Sequence, residues 1–214
     1  MNSSNKPTNP TAVLHADVRR LLKKYQCPLQ LHQVRAQFMG AIASPIDQIN
    51  PAQEIQTIWG AQAPEFASAT AANEFMQALV MGLWNQQSAH FGTGHTFTLI
   101  QHIPEPTEKG LKAHAQLRFE ELQSFLLGFF QGQDSLHLSP EMCDCLDILD
   151  DLIAMFGGIA RLPKERRAVT QEALRGLIDQ VDELTKIAQR EINQIIAASA
   201  QQRQGGDGAP PRLH

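Results

Sequence analysis

Two groups of residues have the types and spacing that could do chemistry. Cys143 and Cys145 flank Asp144 and precede Asp147, Asp150 and Asp151, a run of thiols and carboxylates that a divalent ion could use. His90, His95 and His102 lie in HFGTGHTFTLIQHIPEP, residues 90–106, and imidazoles close together suggest zinc.

Helical geometry argues against the first group. Ser139-Pro140-Glu141 reads as an N-cap, first position and acidic first turn, so both cysteines ride on one helix, where residues two apart point to different sides. Cys145 falls on the apolar stripe Met142, Cys145, Leu146, Leu149, Ile153 and Phe156 and is expected to be a small core residue. Asp144, Asp147 and Asp151 share another face but lack the glycine-containing loop and bidentate Glu of an EF-hand, so a solvated acidic face is expected. The histidine spacing fits no helical or knuckle pattern and no HExxH occurs. An ion held by His90, His95 and His102 therefore stays as the alternative to a structural role, and no other catalytic, cofactor or metal residue is nominated. Gly92-Thr93-Gly94 lacks the third glycine and the preceding strand of a dinucleotide loop and reads as a turn. Neither GxSxG nor GxxxxGK[ST] is present.

The totals narrow the classes further. With 214 residues, 43% of them hydrophobic, the chain can bury a sizeable core. Eighteen Lys+Arg against 22 Asp+Glu leave a net charge of −4, the wrong sign for affinity based on displacing counterions from phosphates, so nucleic acid is not an expected partner. The basic clusters Arg19, Arg20, Lys23, Lys24 and Lys164, Arg166, Arg167 read as solvated helix faces. The longest apolar runs, such as FLLGFF at 125–130, are far short of the roughly 20 residues that cross a bilayer. Three cysteines make no disulfide framework, which fits a reducing cytoplasm.

The elements that would position these groups are helical. Residues 1–10 and 203–214 are polar or Gly/Pro-rich and are expected to be mobile tails. Helices are expected over 12–26 and 29–43, followed by the corner SPIDQINP. There Ser44-Pro45 stops one helix, and Asn50-Pro51 restarts another that carries Glu54 near its positive end, buries Ile55, Ile58 and Trp59, and closes at Gly60. From Thr70, Met76, Leu79, Val80, Leu83 and Trp84 fit one helix face. Residues 90–106, with β-prone Thr96 to Ile100, read as a connection between two lobes, about 11–103 and 107–202. In the second lobe Leu122, Phe125, Leu126 and Phe129 form a stripe, and Gly128 with Gly132 would admit a neighbouring helix. A further helix ends at Gly157-Gly158. The last is expected from about Pro163 to Gln201, with one seam at Leu177, Val181, Leu184, Ala188, interrupted at Glu191, and a second at Ile178, Ile192, Ile195, Ile196. The fold class is all-α, a multi-helix bundle in two lobes with a long C-terminal helix.

The run FMGAIASPIDQINPAQEIQTIWGAQAPEFASATAANEFMQALVMGLWN, Phe38 to Asn85, resembles the YecA/YgfB family of poorly characterised bacterial proteins, and QSFLLGFFQGQDSLHLSP, Gln123 to Pro140, resembles their second block. The resemblance implies an all-helical cytoplasmic bacterial protein with no established catalytic residues. Longer YecA-like members end in a Cys-rich zinc segment that has no counterpart here, and Met39-Gly40 stands where Asp-Gly is usual. A non-catalytic adaptor or regulator of an unidentified protein partner is the expectation, without a cofactor. The alternative is a metal-dependent enzyme using the His90–His102 connection. Two seams on the last helix suggest either a homodimer, one seam facing the chain and the other a second copy, or a single wide face buried within the chain.

Overall fold

The two ends of the SPIDQINP corner form as their residues dictate, with Asp47 and Gln48 outside the described residues. Helix α1 (Pro10–Lys24) leads to α2 (Leu31–Ala43), which stops at Ser44, and α3 (Pro51–Trp59) starts where Asn50 Oδ1 accepts a hydrogen bond from the Ala52 N–H at 2.9 Å. Gly60, at φ 64°, ends α3 in the left-handed region that favours glycine. Ile55, Ile58 and Trp59 are buried as expected, and the Trp59 indole N–H donates to Tyr25 O at 3.0 Å. Glu54 lies in the first turn of α3 as expected, and it is also buried, taking a hydrogen bond from Gln37 Nε2 at 2.7 Å. The computed structural model describes residues 10–46, 49–60, 63–92, 94–163 and 170–205. The expected tails and Lys164, Arg166 and Arg167 lie outside these, except that Pro10 opens α1 and 203–205 belong to the last helix.

Helix α4 (Ala69–Met76) is capped by Ser68, whose Oγ accepts from the Ala71 N–H, and continues as a π-helical segment (Gln77–Trp84) and α5 (Asn85–Ser88). Leu79, Val80, Leu83 and Trp84 are buried as the spacing predicts, but Met76 is 37% exposed and Phe75 takes its place in the core. The cause is the wider π turn, which rotates the downstream stripe relative to the α-helical turn before it.

The second half contains α6 (Glu108–Phe130), α7 (Pro140–Ala160) and α8 (Gln171–Gly205). Ser139 caps α7, its Oγ accepting from the Met142 N–H at 3.3 Å. Three boundaries differ from expectation. Gly157 and Gly158 do not end α7, which runs to Ala160, because neither is forced into a positive φ. Gly132 is not on α6: it sits at φ 74° in the turn after Gln131, itself left-handed at φ 49°. Helix α8 begins at Gln171, not near Pro163, and reaches Gly205.

Every regular element among the described residues is helical. Helix α2 is the hub, buried almost all round and packed on α1, α3, the π segment, α5, α6 and α8. Its main partner, α6, runs in the same direction. His32 faces Glu120 near one end, and eight residues on Gly40 faces Gly128. A Cβ on Gly40 would lie 2.0 Å from Phe125 O, and one on Gly128 would lie 2.1 Å from Gln37 O, so the two backbones touch. The buried side chains of both halves form one core, with α7 and α8 packed outside α6.

On α8 the two expected seams merge into a single buried face. Val181 and Ala188 are buried, and so are Ile178, Ile192, Ile195 and Ile196, whereas Leu177 is 40% exposed. The second seam is thus filled within the chain, which matches the single wide face rather than one seam held for a second copy. Glu191 is buried in that face with its Oε1 held by Arg190 Nε and Nη2 at 2.8 and 2.7 Å.

Candidate functional site

Among the described residues, the connection gathers side-chain hydrogen bonds from three helices. Gly92 and Gly94 turn the chain at φ 71° and 75°, and residues 96–100 then run extended, with Phe97 and Leu99 buried and Thr96 and Thr98 exposed. No strand forms there, because no second strand lies alongside. Side chains from three helices take its place. Asn193 Oδ1 accepts from the Phe97 N–H at 2.8 Å and its Nδ2 donates to Phe97 O at 2.9 Å, while Gln189 Oε1 accepts from the Leu99 N–H at 3.1 Å. Glu121 Oε1 accepts from the Ile100 N–H at 2.8 Å, Arg118 Nη2 donates to Ile100 O at 2.7 Å, and Arg35 Nη2 donates to Thr98 O at 3.1 Å. Buried backbone groups are satisfied here by side chains rather than by a ladder.

This clamp buries charge. Arg118 Nη1 also pairs with Glu121 Oε2, and the guanidinium of Arg35 sits 5.5 Å over the Phe97 ring. Two guanidinium groups share the region with one fully buried carboxylate, and the Nε atoms of both arginines are buried without partners. Burial pushes the Glu121 carboxyl above its usual range against the pull of Arg118, and pushes Arg35 down against the pull of Glu121.

The structure does not bring His90, His95 and His102 together, and among the described residues no three of His, Cys, Asp and Glu are placed to hold one ion. His90 lies with its Nδ1 3.2 Å from His95 O and its ring edge-on to Phe97, and burial lowers its pKa. His95 is exposed. His102 instead meets His114 of α6, Nδ1 to Nδ1 at 3.1 Å, and His114 Nε2 lies 2.8 Å from Asp182 Oδ1 on α8. An ionised carboxylate only accepts, so Nε2 of neutral His114 carries the proton, its Nδ1 accepts, and His102 Nδ1–H donates. Burial is the main cause that holds the His114 pKa below the usual histidine value, with Asp182 opposing it.

His114, Arg118, Glu121 and Asp182 were not nominated from sequence. A signal was present: Leu111, His114, Ala115, Arg118, Glu121, Leu122 and Phe125 follow a three-four spacing, so three polar residues occupy core positions of α6. Nothing in the spacing marks Asp182, whose side chain is 48% exposed.

The cysteine and carboxylate group is divided as the helical geometry requires. Cys145 is buried, and burial with the nearby Glu191 carboxylate pushes its thiol pKa up to about 12; Cys143 is exposed. Asp144, Asp147, Asp150 and Asp151 are exposed, and among the described residues none is in an ion pair. A cleft of about 460 Å³ opens between the start of α7 and the end of α8, lined by His137, Ser139, Glu141, Gln201 and Gln202 among others, away from the clamp. Compared with protein-family models, curated proteins and solved structures, the chain finds no match in any of the three.

Proposed function

We propose that the chain is a non-catalytic interaction module, an adaptor or regulator, that docks a partner protein on the outer face of α7. The observation that carries this reading is the make-up of that face. Asp144, Ile148, Asp151 and Met155 follow one another at helical spacing; Ile148 is 37% and Met155 50% exposed, and α7 carries Glu141 and four aspartates with no basic residue. Apolar anchors framed by carboxylates complement an amphipathic helix with basic residues beside its apolar stripe. Membership of the YecA/YgfB-like family, a bacterial cytoplasmic setting and the partner role belong to the same proposal, supported by the residue patterns at 38–85 and 123–140. A homodimer through α8 retains exposed Leu177 as its support. The metal-dependent enzyme of His90, His95 and His102 is not favoured, because His90 meets the His95 backbone, His102 meets His114, and His95 is exposed.

The test is a comparison of two baits in the native cell. A partner should be retained by the wild-type chain, lost from an Ile148→Glu, Met155→Glu variant, and released by moderate salt as expected for charge steering. The same proteins on both baits, or none on either, would remove α7 as the docking face.

A further inference from the structure

We propose that His102 and His114 bind a transition-metal ion of the zinc type, the ion taking the place of the proton their Nδ1 atoms share. The ring centroids are 5.2 Å apart, longer than the 3.1 Å between nitrogens by almost two ring radii, and the planes differ by 20°. The rings therefore meet edge to edge with both Nδ1 atoms facing one gap, rather than lying face on face. With metal–nitrogen bonds of about 2.0–2.1 Å, nitrogens at that separation subtend about 100° at an ion, between octahedral and tetrahedral angles. An ion at that angle lies about 40° off the line joining the two nitrogens, so the exposed His102 ring must turn toward it.

The surroundings fit a ligand pair. Asp182 Oδ1 takes the Nε2–H of His114 at 2.8 Å, the carboxylate–imidazole arrangement that fixes a metal ligand's tautomer and raises its basicity. With its Nε2–H on Asp182, buried His114 presents its Nδ1 lone pair toward His102, the form a metal ligand requires. His102 is exposed and can exchange tautomers through solvent, placing its own proton on Nε2 and freeing Nδ1. Two imidazoles do not close a coordination shell, so the remaining positions, reached from the exposed His102 side, take water or a partner's donor. This is an open site, distinct from the docking face on α7.

The experiment uses the full chain, stripped with a chelator and titrated calorimetrically with zinc sulfate, with nitrogen NMR of the imidazoles in parallel. One equivalent of zinc should bind and shift the Nδ1 resonances of His102 and His114. His102→Ala, at an exposed position, should abolish binding while leaving the helical dichroism intact. Asp182→Asn should weaken binding by about 10–100-fold through loss of the orienting carboxylate. His95→Ala should change nothing. No saturable binding by the wild-type chain, or undiminished binding by His102→Ala, overturns the proposal and leaves the pair as an N–H···N hydrogen bond alone.

Discussion

Adding one methyl group at Gly128 should loosen the whole bundle. In Gly128→Ala the new Cβ would lie 2.1 Å from Gln37 O, 2.9 Å from Gln37 C and 3.0 Å from Ala41 N. All three are backbone atoms of α2, so no side-chain rotation relieves the overlap. Ordinary contact begins near 3.5 Å, so the helices must separate by roughly 1 Å or more, which forfeits about a quarter to a half of each dispersion contact along the seam. Overpacking of this kind costs about 1–3 kcal/mol or more, and the better helix propensity of Ala returns about 1 kcal/mol. A backbone overlap belongs at the upper end, giving a net loss of about 2 kcal/mol or more; Gly40→Ala should behave alike, its Cβ 2.0 Å from Phe125 O. The double variant should lose less than the sum, since one separation relieves both overlaps. Gly158 and Gly176 are the controls: both are helical with nothing within 4 Å of an added Cβ, so Ala there should stabilise by about 0.5–1 kcal/mol. Urea midpoints at constant slope measure all four. A Gly128→Ala chain as stable as wild type, or the same sign for all four substitutions, would refute the close α2–α6 contact.

Other outcomes follow from the buried polar groups. Burial raises the Glu54 pKa in the folded state, so its stability contribution is full below the unfolded value and is lost as pH rises through the folded one. Glu54→Gln, which can also donate to the unpaired Gln37 Oε1, should therefore be the more stable protein at pH 7–8, by about 1.4 kcal/mol per unit of displacement, and should lose that advantage below about pH 4.5; equal stability across the range would contradict the burial. Asn193→Ala leaves the N–H and C=O of Phe97 without their partner and should lose about 2–4 kcal/mol, with faster amide exchange at Phe97; a loss under about 0.5 kcal/mol would mean that water reaches the clamp. A thiol reagent on the folded chain should label Cys143 well before Cys145, and peptide mapping that found the reverse order would contradict the assigned faces of α7.

What could be read in the sequence was local. Asn50, Pro51 and Gly60 determine the ends of α3 through their own side chains and dihedral freedom, and Ser139-Pro140 does so for α7, so these boundaries required no knowledge of the fold. Met76 was misplaced because a π segment changes the period only once packing has formed. The α8 seams merged because the width of a buried face depends on how many helices cover it, and α8 meets α2, α6 and α7. Of the site, the spacing points to His102 but not to its companion, since His114 is 12 positions along, beyond the connection and on α6. The polar residues at core positions of α6 were the readable trace of the rest.

The side-chain clamp on the connection also bears on how the chain folds as it is made. The partners of Phe97 and Leu99 lie 96 and 90 positions later, on α8. At a synthesis rate of about 5–20 residues per second, the backbone of the connection waits roughly 5–20 s for Asn193 and Gln189 to be made. Until then its backbone lacks the partners it has in the folded chain and its alternating apolar residues lack their cover, the character of an unpaired sheet edge. Gly92, Gly94, Pro104 and Pro106 flank it closely, which keeps the exposed stretch brief and limits what another nascent chain could pair with.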